Sequence, residues 1–283
     1  MSMQVITQPE EGLAPILKAI KRAKKSLDIV IFRFDQRELE DALAAAVERG
    51  VAVRALIAHT NTGGEDRLRK LEQRLLKAGV TVCRTDDDLT RYHGKLLTVD
   101  RCLAYILGFN YTAADLRSRS FGLQLRSRKL VKEVVRLFES DVSRTDFVPR
   151  VRDLVVSPEN ARGRLERFLR RARTSLDIYD PQVTDDQMLE LLQGKAESGV
   201  RIRILGTLEK KWEEAGFEVR EFPGKRLHVR AIVRDGRRAF VGSQSLRKLE
   251  LDERREVGVI IRDRAIVRAI EKTFKQDWRA TEA

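Results

Sequence analysis

The chain is written twice. Lys25-Ser26-Leu27-Asp28-Ile29 returns as Thr174-Ser175-Leu176-Asp177-Ile178, and Gly50-Val51-Ala52-Val53-Arg54 returns as Gly199-Val200-Arg201-Ile202-Arg203, both at an offset of 149 residues. The offset then shortens. Ala78-Gly79 matches Ala215-Gly216 at 137, and His93 matches His228 at 135. The second copy therefore lacks roughly a dozen residues that the first carries around NTGGEDRLRKLEQRLLK. A chain that encodes one unit twice folds as two similar units, and any residue found at matching places in both copies acquires meaning from that match.

Each copy reads in one element order. A helix opens it: Ile16, Leu17, Ile20 and Ala23 recur at helical spacing, as do Leu165, Phe168, Leu169 and Ala172 in the second copy. The strand LDIVIFRF follows, rich in β-branched and aromatic residues. Next come the helix RELEDALAAAVERG, closed by Gly50, the strand VAVRALIA, a further helical stretch in the first copy, and the strand VTVCRT. Short strands KLLTVD, CLAYILGF and FGLQLR then precede a last helix, KLVKEVVRLFESDV. Alternating helix and strand predicts an α/β layered unit. The short strands after each histidine predict mixed rather than purely parallel sheets. The segment RTDFVPRVRDLVVSPEN, with Pro149 and Pro158, reads as the linker, dividing the chain into residues 1–146 and 147–283.

Composition narrows the partners. Fifty-six Lys and Arg against 43 Asp and Glu give a formal charge of +13, which suits an anionic partner: nucleic acid, an acidic membrane surface or a phosphorylated substrate. The bland reading of that charge is solubility. Cys83 and Cys102 cannot make a disulfide framework in 283 residues, so a reducing, cytoplasmic setting is expected. With three histidines there are too few ligands for a Cys/His zinc site. The N-terminal MSMQVITQPEEG has no signal-peptide character, and no apolar run of about 18 residues reads as a membrane span. Membrane contact, if any, is expected to be peripheral, at the inner face.

Two of the three histidines carry a shared pattern. His93-Gly94-Lys95-Leu96-Leu97-Thr98-Val99-Asp100 and His228-Val229-Arg230-Ala231-Ile232-Val233-Arg234-Asp235 both fit His-x-(Lys/Arg)-x-x-x-x-Asp. Residues two apart in extended chain share a face, so each histidine points the same way as its cation. A neutral imidazole can act as nucleophile or proton acceptor, and a nearby cation can hold a phosphate oxygen. Gly108 and Gly242 follow, with Asn110 and Thr112 in one copy and Ser243, Gln244 and Ser245 in the other. Such glycines would let backbone and small polar groups approach a phosphate. Two half-sites face to face place two imidazoles and two cations around one anion. The bland alternative is a pair of satisfied structural histidines in related domains.

These residues resemble the phospholipase D superfamily, whose signature is a duplicated His-x-Lys-x-x-x-x-Asp, and in detail its bacterial cardiolipin synthase-like branch. The resemblance covers nearly the whole chain. It implies two similar α/β domains, each a mixed sheet flanked by helices, with the active site between the halves. It implies a phosphodiesterase or phosphatidyltransferase that acts on phospholipids without metal or other cofactor. His93 would form a covalent phosphohistidine and His228 would serve as general acid and base. Lys95 and Arg230 would clamp the phosphate oxygens, assisted by Asn110, Ser243 and Gln244. Asp100 and Asp235 are expected to steady local structure by hydrogen bonds. Two departures stand out. Arg230 replaces the usual lysine. Glu256, 28 residues after His228, stands where the family often places a histidine-orienting carboxylate, whereas the same count from His93 reaches Phe121, so only one histidine is expected to have such a partner, and which one is open. The alternatives are a nuclease with the same site and a decayed, non-enzymatic anion-binding scaffold. One chain suffices for one site; the oligomeric state is open.

Other features have blander readings. His59 ends a strand. Asp86-Asp87-Asp88 reads as a solvated turn rather than a metal site, since adjacent carboxylates diverge. The arginines at 162, 164, 167, 170, 171 and 173 are either a solvated helix face or a contact for membrane or nucleic acid. Trp212 and Trp278 are too isolated to form a base-stacking platform.

Overall fold

A computed structural model describes residues 3–59, 65–212, 214–224 and 226–282. The first copy supplies β1 (Met3–Gln8), β2 (Ser26–Ile31), β3 (Ala52–Ile57), β4 (Thr81–Arg84), β5 (Arg91–Tyr92), β6 (Leu96–Val99), β7 (Leu103–Leu107) and β8 (Ser120–Leu125). The second supplies β9 (Leu154–Ser157), β10 (Ser175–Gln182), β11 (Arg201–Thr207), β12 (Glu218–Arg220), β13 (Arg230–Arg234), β14 (Arg238–Gly242) and β15 (Arg254–Ile261). One sheet runs β1-β8-β7-β6-β2-β3-β4, the other β12-β11-β10-β13-β14-β15-β5, with β9 also on β15. In each, the strands around the first βαβ unit pair in parallel and those after the histidine pair antiparallel, so both sheets are mixed. The fold is thus two α/β layered units of like topology.

Two expectations need correction. The copies do not begin with a helix: β1 and β9 precede it, and β9 lies within the segment read as linker. Both strands close an edge antiparallel, β1 on β8 and β9 on β15. Val155 and Val156 are fully buried. A four-residue strand flanked by proline and charge has too little periodicity to be seen without its partner. The second correction is a crossing. β5, from the first copy, adds to the sheet of the second, with Arg91 and Tyr92 opposite Arg254 and Arg255.

The helix Glu65–Lys77 of the first copy gives way to a three-residue 3-10 turn, Lys210–Trp212, in the second. Gly50 and Gly199, at matching helix ends, have φ of 81° and 85°, where a side chain would be strained. Separate apolar cores lie under the outer helices of each copy. A third joins the halves, combining residues of both sheets with the helices Arg128–Ser143 and Arg264–Ala280.

The repeat extends into the interior as a charge pair. Arg54 meets Asp28 at 2.7 Å, and Arg203 meets Asp177 at 2.8 Å, in matching strands. Arg54 also lies over the Phe138 ring at 4.9 Å, and Arg203 over Phe274 at 5.1 Å. Removing one partner of a buried pair leaves an uncompensated charge. Asp177→Ala is therefore expected to lower stability by about 3–5 kcal/mol, read as a fall in the urea midpoint; a change under about 1 kcal/mol would show that Arg203 is solvated there.

Candidate active site

The two histidines stand just before the matching strands β6 and β13. Each is fixed by a backbone hydrogen bond to the other copy: His93 N–H donates to Arg255 O at 2.8 Å, and His228 N–H donates to Arg119 O at 3.0 Å. This exchange brings the two close enough for each copy's charges to act on the other's histidine. Both are buried, at 7% and 5% exposure. The proximity is electrostatic as well. Burial holds the His228 imidazole well below its ordinary value, and Arg230, Lys95, Arg226 and His93 add to the lowering. Burial does the same to His93, followed by Lys95 and Arg230.

Glu256 belongs to His93. Its two carboxylate oxygens lie 2.8 and 3.0 Å from His93 Nδ1, reaching across from the second copy. Glu256 is fully buried, and burial raises its carboxyl above the usual range against the lowering influence of Lys95. With Nδ1–H donating to the carboxylate, the His93 Nε2 lone pair is exposed to Lys95 Nζ at 2.8 Å. Burial brings that ammonium down to about 7; Glu256 pulls the other way and Arg230 pushes further down. The Phe32 ring abuts His93 edge-on at 4.5 Å and supports this arrangement.

The counterpart of Glu256 is Ser120, not Phe121. Because Arg119 and Arg255 make equivalent backbone contacts, the residues that follow them are equivalent, and the count from His93 misses by one. The Ser120 hydroxyl is buried without a hydrogen-bond partner among the described residues. His228 nevertheless has a carboxylate, one that counting from the motif did not find. Asp115 Oδ2 lies 3.4 Å from His228 Nδ1, which is buried without a hydrogen-bond partner among the described residues, and it accepts from Asn110 N at 2.7 Å and Asn110 Nδ2 at 2.6 Å. Arg226 Nη1 donates to its other oxygen at 2.7 Å. A signal for it exists in the repeat: Asp115 is five residues after Asn110 and Glu250 is five after Ser245, whose N–H donates to Glu250 at 2.7 Å.

The remaining expected residues divide. Arg230 donates from Nε to Ser245 Oγ at 3.1 Å and from Nη1 to His228 O at 3.1 Å, which sets its plane beside His228. Asn110 is held beside Asp115, its Oδ1 buried without a partner among the described residues. Ser243 and Gln244 both have partners in the second copy, and Ser243 also supports the Glu256 carboxylate. Ser243 Oγ accepts from Val257 N at 3.1 Å, and Gln244 Nε2 donates to Val155 O at 3.2 Å. Ser245, matching Asn110 in the repeat, is the residue that touches Arg230. The glycines also differ from expectation. A methyl on Gly108 would lie 2.8 Å from Phe121 O and 3.3 Å from Gly242 O, so glycine is needed where the two halves approach each other. Asp100 Oδ1 accepts from the backbone N–H of Lys25 at 2.7 Å and Ser26 at 3.0 Å; Asp235 Oδ1 accepts from Thr174 at 2.8 Å and Arg173 at 3.0 Å. Both tie a turn to the helix–strand junction of their own copy. His59 is exposed, and Asp88 accepts from the Tyr92 hydroxyl at 2.7 Å.

The family model for "Cardiolipin synthase, PLD-like domain" matches residues 16–142 and again 165–278. The chain belongs to this phospholipase D-like family. Among curated relatives, this phospholipase D-like chain is 23% identical over 319 residues to cardiolipin synthase B of Escherichia coli K12, covering 93% of the chain and 76% of the relative. Among solved structures, phosphatidylserine synthase of Haemophilus influenzae superposes with a TM-score of 0.75 at 12% identity, covering 99% of this chain and 86% of that one. Polyphosphate kinase of Porphyromonas gingivalis superposes with a TM-score of 0.79 at 16% identity; the match covers 96% of this chain but only half of the kinase. At such identities the structural likenesses are likenesses of fold.

Proposed function

We propose that this phospholipase D-like protein is a phosphodiesterase or phosphatidyltransferase acting on phospholipids through a covalent phosphohistidine on His93. The observation that carries the reading is His93 Nδ1 gripped by Glu256 at 2.8 Å while its Nε2 faces Lys95. In the first step Nε2 attacks phosphorus, the P–N bond forms, the P–O bond to the leaving alcohol breaks, and His228 donates a proton to that oxygen. In the second, neutral His228 takes a proton from water or an acceptor alcohol, which attacks phosphorus and breaks the P–N bond. Lys95 and Arg230 hold the non-bridging oxygens and stabilise the charge that develops there. Burial first, and then the surrounding cations, disfavour a protonated His228; an arriving phosphate monoanion offsets the cations and favours the donating form. The looser hold on His228 fits a group that must exchange protons, and the tighter hold on His93 fits a nucleophile. Cations stand where a metal would, so turnover is expected to survive EDTA.

The lipid assignment rests on the family and on the cardiolipin synthase relative. No helix among the described residues is long and apolar enough to cross a membrane. Contact with an anionic bilayer at the inner face of the cytoplasmic membrane would be peripheral, drawn by the +13 charge. Headgroup release from phosphatidylglycerol liposomes, with a single-stranded DNA arm alongside, tests the assignment. Lipid turnover is expected; DNA cleavage with no turnover on any phospholipid would replace it with a nuclease.

The pH dependence follows from Lys95. The clamp needs the ammonium form, whose pKa in the empty site is about 7. Hence kcat/KM is expected to fall as pH rises through about 7, since that ratio reports the free enzyme. Glu256 raises the Lys95 pKa, so Glu256→Gln moves the alkaline limb to lower pH. An alkaline limb that stays in place in this variant would mean that another group sets it.

A further inference from the structure

The arginines of the helix Ala161–Arg170 and its end build a feature that the catalytic pocket does not use. Arg164, Arg167 and Arg171 line a cavity of about 170 Å³ together with Arg234 and Arg238 of the β13–β14 hairpin and Arg262 beyond β15. Arg152 also lines it, and Asp153 is the one carboxylate among the lining residues. That carboxylate is already clasped by Arg262 at 2.8 Å. Arg234 lies on the Phe168 ring at 4.6 Å and donates to Phe168 O at 2.8 Å, which fixes its plane. Among the described residues, Arg152, Arg164, Arg167 and Arg171 have no carboxylate within ion-pair distance, and Arg164 Nε is buried without a hydrogen-bond partner.

A solvated face would spread its arginines apart; here they converge from four segments on one concavity. The crowding is felt. Burial, then the charges of Arg167 and Arg152, hold the Arg164 guanidinium below its ordinary value. Burial likewise lowers Arg234 against the pull of Asp235, with Arg238, Arg171 and Arg262 contributing. A second cavity of about 600 Å³ shares Arg171 and Arg234 and adds Arg170, Arg173, Lys195 and Arg237. Its carboxylate, Asp235, is engaged by backbone N–H groups. Both cavities lie at the end of β13 far from His228, with Arg234 about 13 Å along the strand from Arg230 at roughly 3.3 Å per residue. A ligand here would not reach the reacting atoms.

Planar guanidinium forks match phosphate oxygens in pairs, and two joined cavities that share two arginines suit successive phosphate groups. We propose that this cleft binds a linear anion carrying two or more phosphate groups, whether a free oligophosphate or neighbouring lipid headgroup phosphates.

The test compares wild type with the double variant Arg164→Gln, Arg171→Gln, at fixed ionic strength, by calorimetric titration and thermal melting with tripolyphosphate. Wild type is expected to bind one equivalent and to melt at higher temperature when loaded. The variant is expected to lose at least about tenfold in affinity, since two charge-assisted contacts go. Its unloaded Tm is expected to equal or exceed that of wild type, because like-charge repulsion is relieved. Its hydrolysis of bis(p-nitrophenyl) phosphate should be unchanged, because neither arginine touches the catalytic pocket. Vesicles of phosphatidylcholine with and without phosphatidylglycerol identify the source: displacement of tripolyphosphate by the anionic vesicles alone assigns the site to headgroups, and no displacement assigns it to a free anion. Equal affinity in variant and wild type, binding no tighter than that of sulfate, or binding of a DNA oligonucleotide without oligophosphate binding would each overturn the proposal.

Discussion

His93→Ala is expected to lower turnover by about 10⁴-fold or more while leaving the fold intact. Alanine keeps the backbone hydrogen bond, N–H to Arg255 O; it leaves Glu256 without its imidazole partner, and burial already favours the neutral form of that carboxyl. What alanine removes is the group that the proposed mechanism uses to form the P–N bond: an imidazole with Nδ1 on Glu256 and Nε2 beside Lys95. Lys95 and Arg230 would still bind the diester, so KM should change far less than kcat. Single-turnover assays with circular dichroism as a control check this. Residual activity within about tenfold of wild type would place the nucleophile elsewhere.

His228→Asn is expected to separate the two chemical steps. A diester with p-nitrophenolate as leaving group needs no proton in the first step, so His93 should still be phosphorylated and release one equivalent in a burst. Water would then lack its base, and steady-state turnover should fall by about 10³-fold, with phosphohistidine accumulating on His93. With an alkyl leaving group, such as glycerol, both steps should fail. Mass spectrometry of the quenched enzyme reads the intermediate directly. A burst-free loss with both substrates would assign His228 to binding or to the nucleophile's role.

The repeat explains why so much was legible beforehand. Two copies of one pattern identified His93, Lys95, His228 and Arg230 because matching in register removes most chance occurrences. The helices were visible from their apolar spacing. β1 and β9 were not, since short edge strands owe their existence to partners distant in sequence: Gln8 opposite Ser120, Ser157 opposite Glu256. Counting residues from one histidine also failed where one copy carries an extra residue, which turned Ser120 into Phe121.

By itself the sequence determined that there are two like α/β units, each with one histidine and one cation on a shared strand face, because side-chain period and helical spacing are local properties. Tertiary structure decided which groups serve which histidine. Glu256 reaches His93, Asp115 lies near His228, and Gly108 meets Gly242, and in every case the partners come from opposite copies. It also gathered arginines from four separate segments around one cleft. Contacts across a pseudo-twofold arrangement depend on how two sheets pack, and packing leaves no periodic trace along the chain.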